Sequence, residues 1–363
     1  IFEIQSDIAT RIARAIQGEM GAATDASVPA KVLTANMSAY DLFLKGRTAF
    51  NERLILADMD ASIEFLEQAI ELDPTFAIAW QYLAAAYAAR PFYSGDIAGF
   101  DQEIATSTEA AERALALDPT LAFAHAIIAG NKALMPPYDL VEVLDQYDIA
   151  LEKDPNDMTT LYWRGLQLAM AGYLDEALKV MYQCLDIDPL YRNCLIQSGD
   201  ISLLLGDVET FNTVYATLAE QYAVELTTMQ VPLELAAGNR RMAVIVAAQA
   251  SGLHGSPFQL WLDALEQPYA DHSRAWEEYR AWAESAGEDL RAYPDILVAF
   301  GQYDQVDLRI LASTFHWIPH FAPYRASDSF KQQMRKYGYL KLWQAEGFPA
   351  MCRPVGTDDF ECD

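Results

Sequence analysis

A chain of 363 residues is longer than one compact core usually holds, so it folds as several domains or as a repeat array. It carries 52 Asp/Glu against 25 Lys/Arg, a net charge of −27, which sets it against nucleic-acid phosphates and anionic membrane surfaces as partners. No apolar run approaches the roughly 18–20 residues of a bilayer span, and no signal peptide opens the chain. The first residue, Ile1, suggests a piece of something longer.

In chain order, Ile4, Ile8, Ile12 and Ile16 form one stripe. They predict an isolated helix over 1–17, the tail of an upstream domain, followed by a linker over 18–38 rich in small and polar residues. A period then sets in. Leu72-Asp73-Pro74 recurs as Leu117-Asp118-Pro119, Lys153-Asp154-Pro155 and Ile187-Asp188-Pro189, with prolines 45, 36 and 34 residues apart. A 34-residue helix–turn–helix unit is the tetratricopeptide period. The Asp is expected to cap the next helix and the Pro to occupy its first position. Within the units, Leu161, Gly165 and Leu168 share a face, and Ala177, Met181 and Cys184 face them after the Gly172-Tyr173 turn. Residues 39–190 therefore read as four clear repeats and 191–255 as degenerate ones, with turns at Gly206 and Gly238. Residues 256–363 read as aromatic-rich helical repeats to about Ala345, with a turn at Gly301, then an irregular capping tail. The predicted class is all-α, a right-handed α-solenoid of tetratricopeptide repeats. Arg90–Phe100 reads as a bland connector.

The run AYDLFLKGRTAFNERLILADMDASIEFLEQAIELDP resembles the first repeat of carboxy-terminal tetratricopeptide regions in bacterial signalling proteins. IFEIQSDIATRIARAI looks like the end of the TolB-like segment that precedes such regions, and MCRPVGTDDFEC like their terminal signature. The resemblance implies a parent with a winged-helix or adenylate-cyclase output domain and a membrane anchor. This chain would then be a non-catalytic part of that parent, on the periplasmic side rather than in the cytoplasm.

In such a solenoid the first helix of each unit lines the concave groove. The register places Tyr40, Phe43, Arg47, Phe50, Gln81, Phe123, Tyr162, Leu166 and Ile196 there. This groove is aromatic, with little positive charge. Chaperone-binding relatives hold a terminal carboxylate with Lys and Asn, and only Arg47 and Asn193 come near that, so an acidic tail is not the expected partner. A protein or peptide segment with apolar anchors and basic character is expected, from another protomer or from the chain's own end, where Arg325–Arg353 holds 6 Lys/Arg against 2 acids. The competing arrangement packs these aromatics between neighbouring units and leaves no open groove. Self-association of the parent is the alternative role.

Cys184/Cys194 and Cys352/Cys362 are each ten apart. Either pair can close a disulfide, which implies an oxidising compartment; Cys184 alternatively reads as a small core residue. No zinc spacing appears. His316 and His320 flank Pro319 and lack the zinc-protease glutamate, so they read as surface or packing histidines. Asp358, Asp359, Glu361 and Asp363 read as a solvated acidic tail. With no phosphate loop or nucleophile motif, neither catalytic residues nor a cofactor or metal is expected.

Overall fold

The computed structural model describes residues 33–363 apart from 95, 97, 222–229, 251–255 and 310–313. The helix expected over 1–17, and the linker up to residue 32, lie outside the described residues.

From Met37 the chain runs as helix pairs. The first two are α1 (Met37–Glu52) with α2 (Leu56–Leu72), and α3 (Ala77–Ala89) with α5 (Phe100–Leu117), the short α4 (Pro91–Ser94) lying between the latter two. Then come α6 (Ala122–Leu134) with α7 (Leu140–Lys153), α8 (Met158–Met170) with α9 (Leu174–Ile187), and α10 (Arg192–Leu204) with α11 (Val208–Gln221). Two further pairs follow, α12 (Gln230–Ala236) with α13 (Arg240–Ala250) and α14 (Ser256–Glu266) with α15 (Ser273–Ala286). Small residues set the closeness within a pair. A Cβ on Gly165 of α8 would stand 2.7 Å from Met181 Cε of α9, so a larger residue there requires the Met181 side chain to move aside. The predicted stripe Ala177, Met181 and Cys184 is fully buried. Gly172, Gly206 and Gly238 take a left-handed φ at the turns.

The joints between pairs differ from expectation. Asp73, Asp118, Asp154 and Asp188 cap the end of the preceding helix, and the next helix begins only four residues later. Their carboxylates accept from the amides of Thr75, Thr120, Asn156 and Leu190, two residues on, at 2.9–3.1 Å. The Pro thus sits inside a turn, not at the first helical position. Its fixed φ suits that turn's second residue while the Asp side chain closes it. Asp73 also accepts from the Thr34 hydroxyl, and this bond, followed by that of Thr75, holds its pKa below the usual carboxylate value.

Paired long helices stop at Ala286, earlier than expected. Beyond it lie short pieces: α16 (Pro294–Ala299), three-residue to four-residue 3-10 turns, α17 (Ala322–Arg325), α18 (Asp328–Lys336) and α19 (Tyr339–Glu346). Gly301 turns into the 3-10 segment Tyr303–Gln305 and not into a second helix. Pro294, Pro319 and Pro323 interrupt helix propagation here. The tail is not irregular: β1 (Cys352–Val355) pairs antiparallel with β2 (Asp359–Cys362), with Cys352 opposite Cys362. Nor is its acidic end simply solvated. Asp359 pairs with Lys331 and Arg335, and Glu361 and Asp363 with Arg353.

This segment folds back on the middle of the array. Three side-chain N–H groups meet three consecutive carbonyls at the end of α8, where helix geometry leaves acceptors short of intrahelical partners, although Ala169 O also accepts from the Gly172 amide. Trp317 Nε1 donates to Ala169 O, His316 Nε2 to Met170 O and Trp343 Nε1 to Ala171 O, each at 2.9 Å. His316 is buried, and burial holds its pKa down at about 3. Gly338, at φ +82°, lies so close to Tyr138 that a Cβ would stand 2.1 Å from the Tyr138 carbonyl oxygen. Arg325, 4% exposed, ties the segment together by donating to the carbonyls of His316, Ile318 and Asp363.

Candidate ligand-binding lumen

Residues of the carboxy-terminal segment and of the inner faces of α6, α8 and α10 together line a partly open lumen of about 510 Å³. That size falls in the range of small-molecule sites. Tyr162, Trp163 and Leu166 come from α8, and Ile196 and Asp200 from α10. Phe92 and Tyr93 come from α4, while Tyr293, Asp295, Leu308 and Tyr337 close the opposite side.

Five charged-type residues line it: Arg53, Arg192, Asp200, Asp295 and Arg309. Arg309 is neutralised by Asp307 and Asp101 at 2.8 Å each. Asp200 accepts from Tyr215 Oη at 2.8 Å; burial nonetheless pushes its pKa up to about 7. Asp295 is fully buried and neither oxygen has a hydrogen-bond partner among the described residues, although the first-turn amides beside it favour the charged form. Burial dominates, and its pKa also rises to about 7. Arg53 caps the end of α1, stacked on the Phe50 ring 4.2 Å from its centroid and donating through Nη1 to Phe50 O. Arg192 donates to Arg53 O at 3.5 Å, so the two guanidinium-bearing residues are neighbours. The Nε of each is buried without a partner among the described residues.

The profile described as "Tetratricopeptide repeat" matches residues 53–76, which span α2 and its Asp-Pro joint. No curated protein matches the chain significantly. Among solved structures, it is similar to YrrB, described as a TPR protein with an unusual peptide-binding site. Identity is 16% over 56% of this chain and 92% of YrrB, with a TM-score of 0.30. It is also similar to yeast Tom70, at 14% identity over 86% of this chain and 65% of Tom70, with a TM-score of 0.42. The fold is an α-solenoid of tetratricopeptide helix–turn–helix repeats.

In this solenoid the predicted groove residues divide. Tyr162, Leu166 and Ile196 line the lumen. Phe43, Phe50, Phe123 and Gln81 do not; they are buried within the array. Phe43 packs on Phe76 and Tyr82 with ring centroids 5.1 and 5.6 Å apart, Phe50 packs on Tyr82 at 5.9 Å, and Phe123 bridges Tyr82 and Trp163 at 6.0 and 5.5 Å. First helices stand close enough for their inner aromatics to interlock, so the amino-terminal part of the groove is core. Tyr40 is half-buried 6.1 Å from Phe43, and Arg47 lies over the Phe43 ring.

The expectation of little positive charge is corrected by Arg53 and Arg192. Sequence reasoning passed over both because they lie at a helix end and just past a joint, outside the projected register. The supposed connector also matters, since α4 presents Phe92 and Tyr93 to the lumen. Cys184 is bonded to Cys194 across the α9–α10 joint, and Cys352 to Cys362 across the β-hairpin, with Cα separations of 6.4 and 4.1 Å. His316 is a packing residue, and His320 lies in the neighbouring 3-10 turn with its pKa lowered by burial.

Proposed function

We propose that this chain is a non-catalytic interaction and sensing module of a larger bacterial signalling protein. It binds a protein or peptide segment with apolar anchors in the lumen of its solenoid. The observation that supports this most directly is the convergence of Tyr162, Leu166 and Ile196, from successive repeats, on one concave cavity; solenoids use such concave surfaces for binding. The two disulfides favour an oxidising compartment such as the periplasm. Peptide selection on the purified chain tests the reading. Selected binders should lose at least ten-fold in affinity with Leu166→Ala plus Ile196→Ala while circular dichroism stays unchanged. A chain that selects no binder, or binders indifferent to these changes, overturns it.

Exposed Ile149 and Tyr182 on α7 and α9 favour a second reading, self-association of the parent. A mass by light scattering that stays monomeric over a concentration series sinks it.

A further inference from the structure

We propose that the lumen is a receptor site for a small organic monocarboxylate, whose carboxylate is met by Arg53 and Arg192 and whose apolar body lies against Tyr162, Leu166 and Ile196. The inference rests on the lumen being the binding site and names the class of ligand it takes.

Four observations lead there. First, the two arginine residues stand side by side at the cavity wall, since the Arg192 guanidinium reaches the backbone carbonyl of Arg53. Second, neither pairs with a carboxylate among the described residues, although acids outnumber bases about two to one in this chain. Arg53 is only 6% exposed, so its charge is withdrawn from water as well as unpaired. Third, other lumen polar atoms are buried without partners too: Nε2 of Gln167, Oε1 of Gln197 and both oxygens of Asp295. Native interiors rarely leave such groups unmatched, and a cluster of them around one cavity marks a place where a ligand or water supplies the partners. Fourth, the lumen's own carboxyls do not cancel the arginines. Burial raises the pKa of Asp200 and Asp295 to about 7, so each is only partly ionised near neutrality, and Arg309 is committed to Asp307 and Asp101. The wall is therefore electropositive at one place and aromatic or aliphatic elsewhere, in a volume suited to a molecule of drug size. Planar guanidinium groups match a carboxylate's two oxygens in geometry and charge.

The chemistry is shared by a free acid and by a carboxylate borne on a peptide; a cavity of about 510 Å³ is of the size that takes a free acid. Calorimetry on the full chain with 3-phenylpropionate and octanoate, against their neutral amides, tests this. One-site binding of at least one acid is expected, with its amide at least ten-fold weaker. Arg192→Gln, at a half-buried position, should reduce the acid's affinity ten-fold or more with unchanged circular dichroism, and Arg53→Gln likewise if it folds. Arg274→Gln, on the exposed face of α15, should change nothing. Equal binding of acid and amide, binding of neither, or indifference to Arg192→Gln overturns the proposal. So does binding confined to a peptide with a free terminal carboxylate. That outcome, or retained binding of apolar peptides through Leu166 and Ile196, would leave the interaction reading standing.

Discussion

Residues 37–170 and residues 290–363 both bury large aromatic rings, but they hold them differently. In the amino-terminal array the rings meet one another in a ladder from Phe76 through Phe43, Tyr82 and Phe123 to Trp163. Each contact joins a repeat to its neighbour, which is how solenoids build stability. In the carboxy-terminal segment the rings also spend their polar edges. Trp317, His316 and Trp343 reach backbone carbonyls 146–172 residues away, at the end of α8. The array is held by repetition, whereas the seal is held by a few long-range anchors that are not repeated elsewhere among the described residues.

The largest expected effect follows from that lack of redundancy. Trp317→Ala removes a fully buried ring together with a donor to α8, and should cost about 3–5 kcal/mol in urea unfolding. Near-UV circular dichroism should fall well before the far-UV signal, since the loss starts in the seal. Coincident transitions would show that seal and array unfold as one unit. Next, replacing Cys352 and Cys362 by Ser should cost about 2–3 kcal/mol, the loop-entropy value for a ring of this size. Titration of the denatured, unreduced wild type should find no free thiol; four would remove both bridges.

A smaller, pH-dependent effect distinguishes the lumen between these regions. Burial raises the Asp200 and Asp295 pKa values from the ordinary 3.8 to about 7 in the folded state. A raised carboxyl contributes its full stability below about pH 4 and loses it as pH rises toward 7, at up to about 1.4 kcal/mol per unit. His316, held at about 3, acts in the opposite sense between about 3 and 6.5 and partly masks this slope. Asp295→Asn should therefore gain stability relative to wild type progressively between pH 5 and 7, and urea midpoints at three pH values read the trend. A pH-independent difference would mean that Asp295 stays ionised in the folded protein. Smallest of all, Lys341→Ala breaks an exposed ion pair with Asp139 between seal and array, and should cost below about 1 kcal/mol in thermal unfolding.

Much of the array was legible because its signals are local. Gly165 opposite Met181, the turns at Gly172, Gly206 and Gly238, and the buried stripe on α9 each follow from spacing along one helix pair. The Asp-Pro joints were legible as joints but misread in detail, since turn and cap use the same residue types and differ only by where the next helix starts. The groove was half legible. Tyr162, Leu166 and Ile196 line the lumen, while Phe43, Phe50 and Phe123, projected onto the same side of their helices, are covered by neighbouring repeats. Periodicity tells which face of a helix a residue occupies, not what lies across from that face.

The amino-acid sequence by itself determined the repeat, its turns and the small residues at close approaches, because those depend on contacts within about one 34-residue unit. Only the tertiary structure decided that the carboxy-terminal segment crosses the concave side and caps α8. The same holds for Arg53 and Arg192 standing side by side without a carboxylate partner among the described residues. These arrangements join residues more than a hundred positions apart, and at that separation no spacing rule links one to the other; complementary surfaces and unsatisfied backbone groups do.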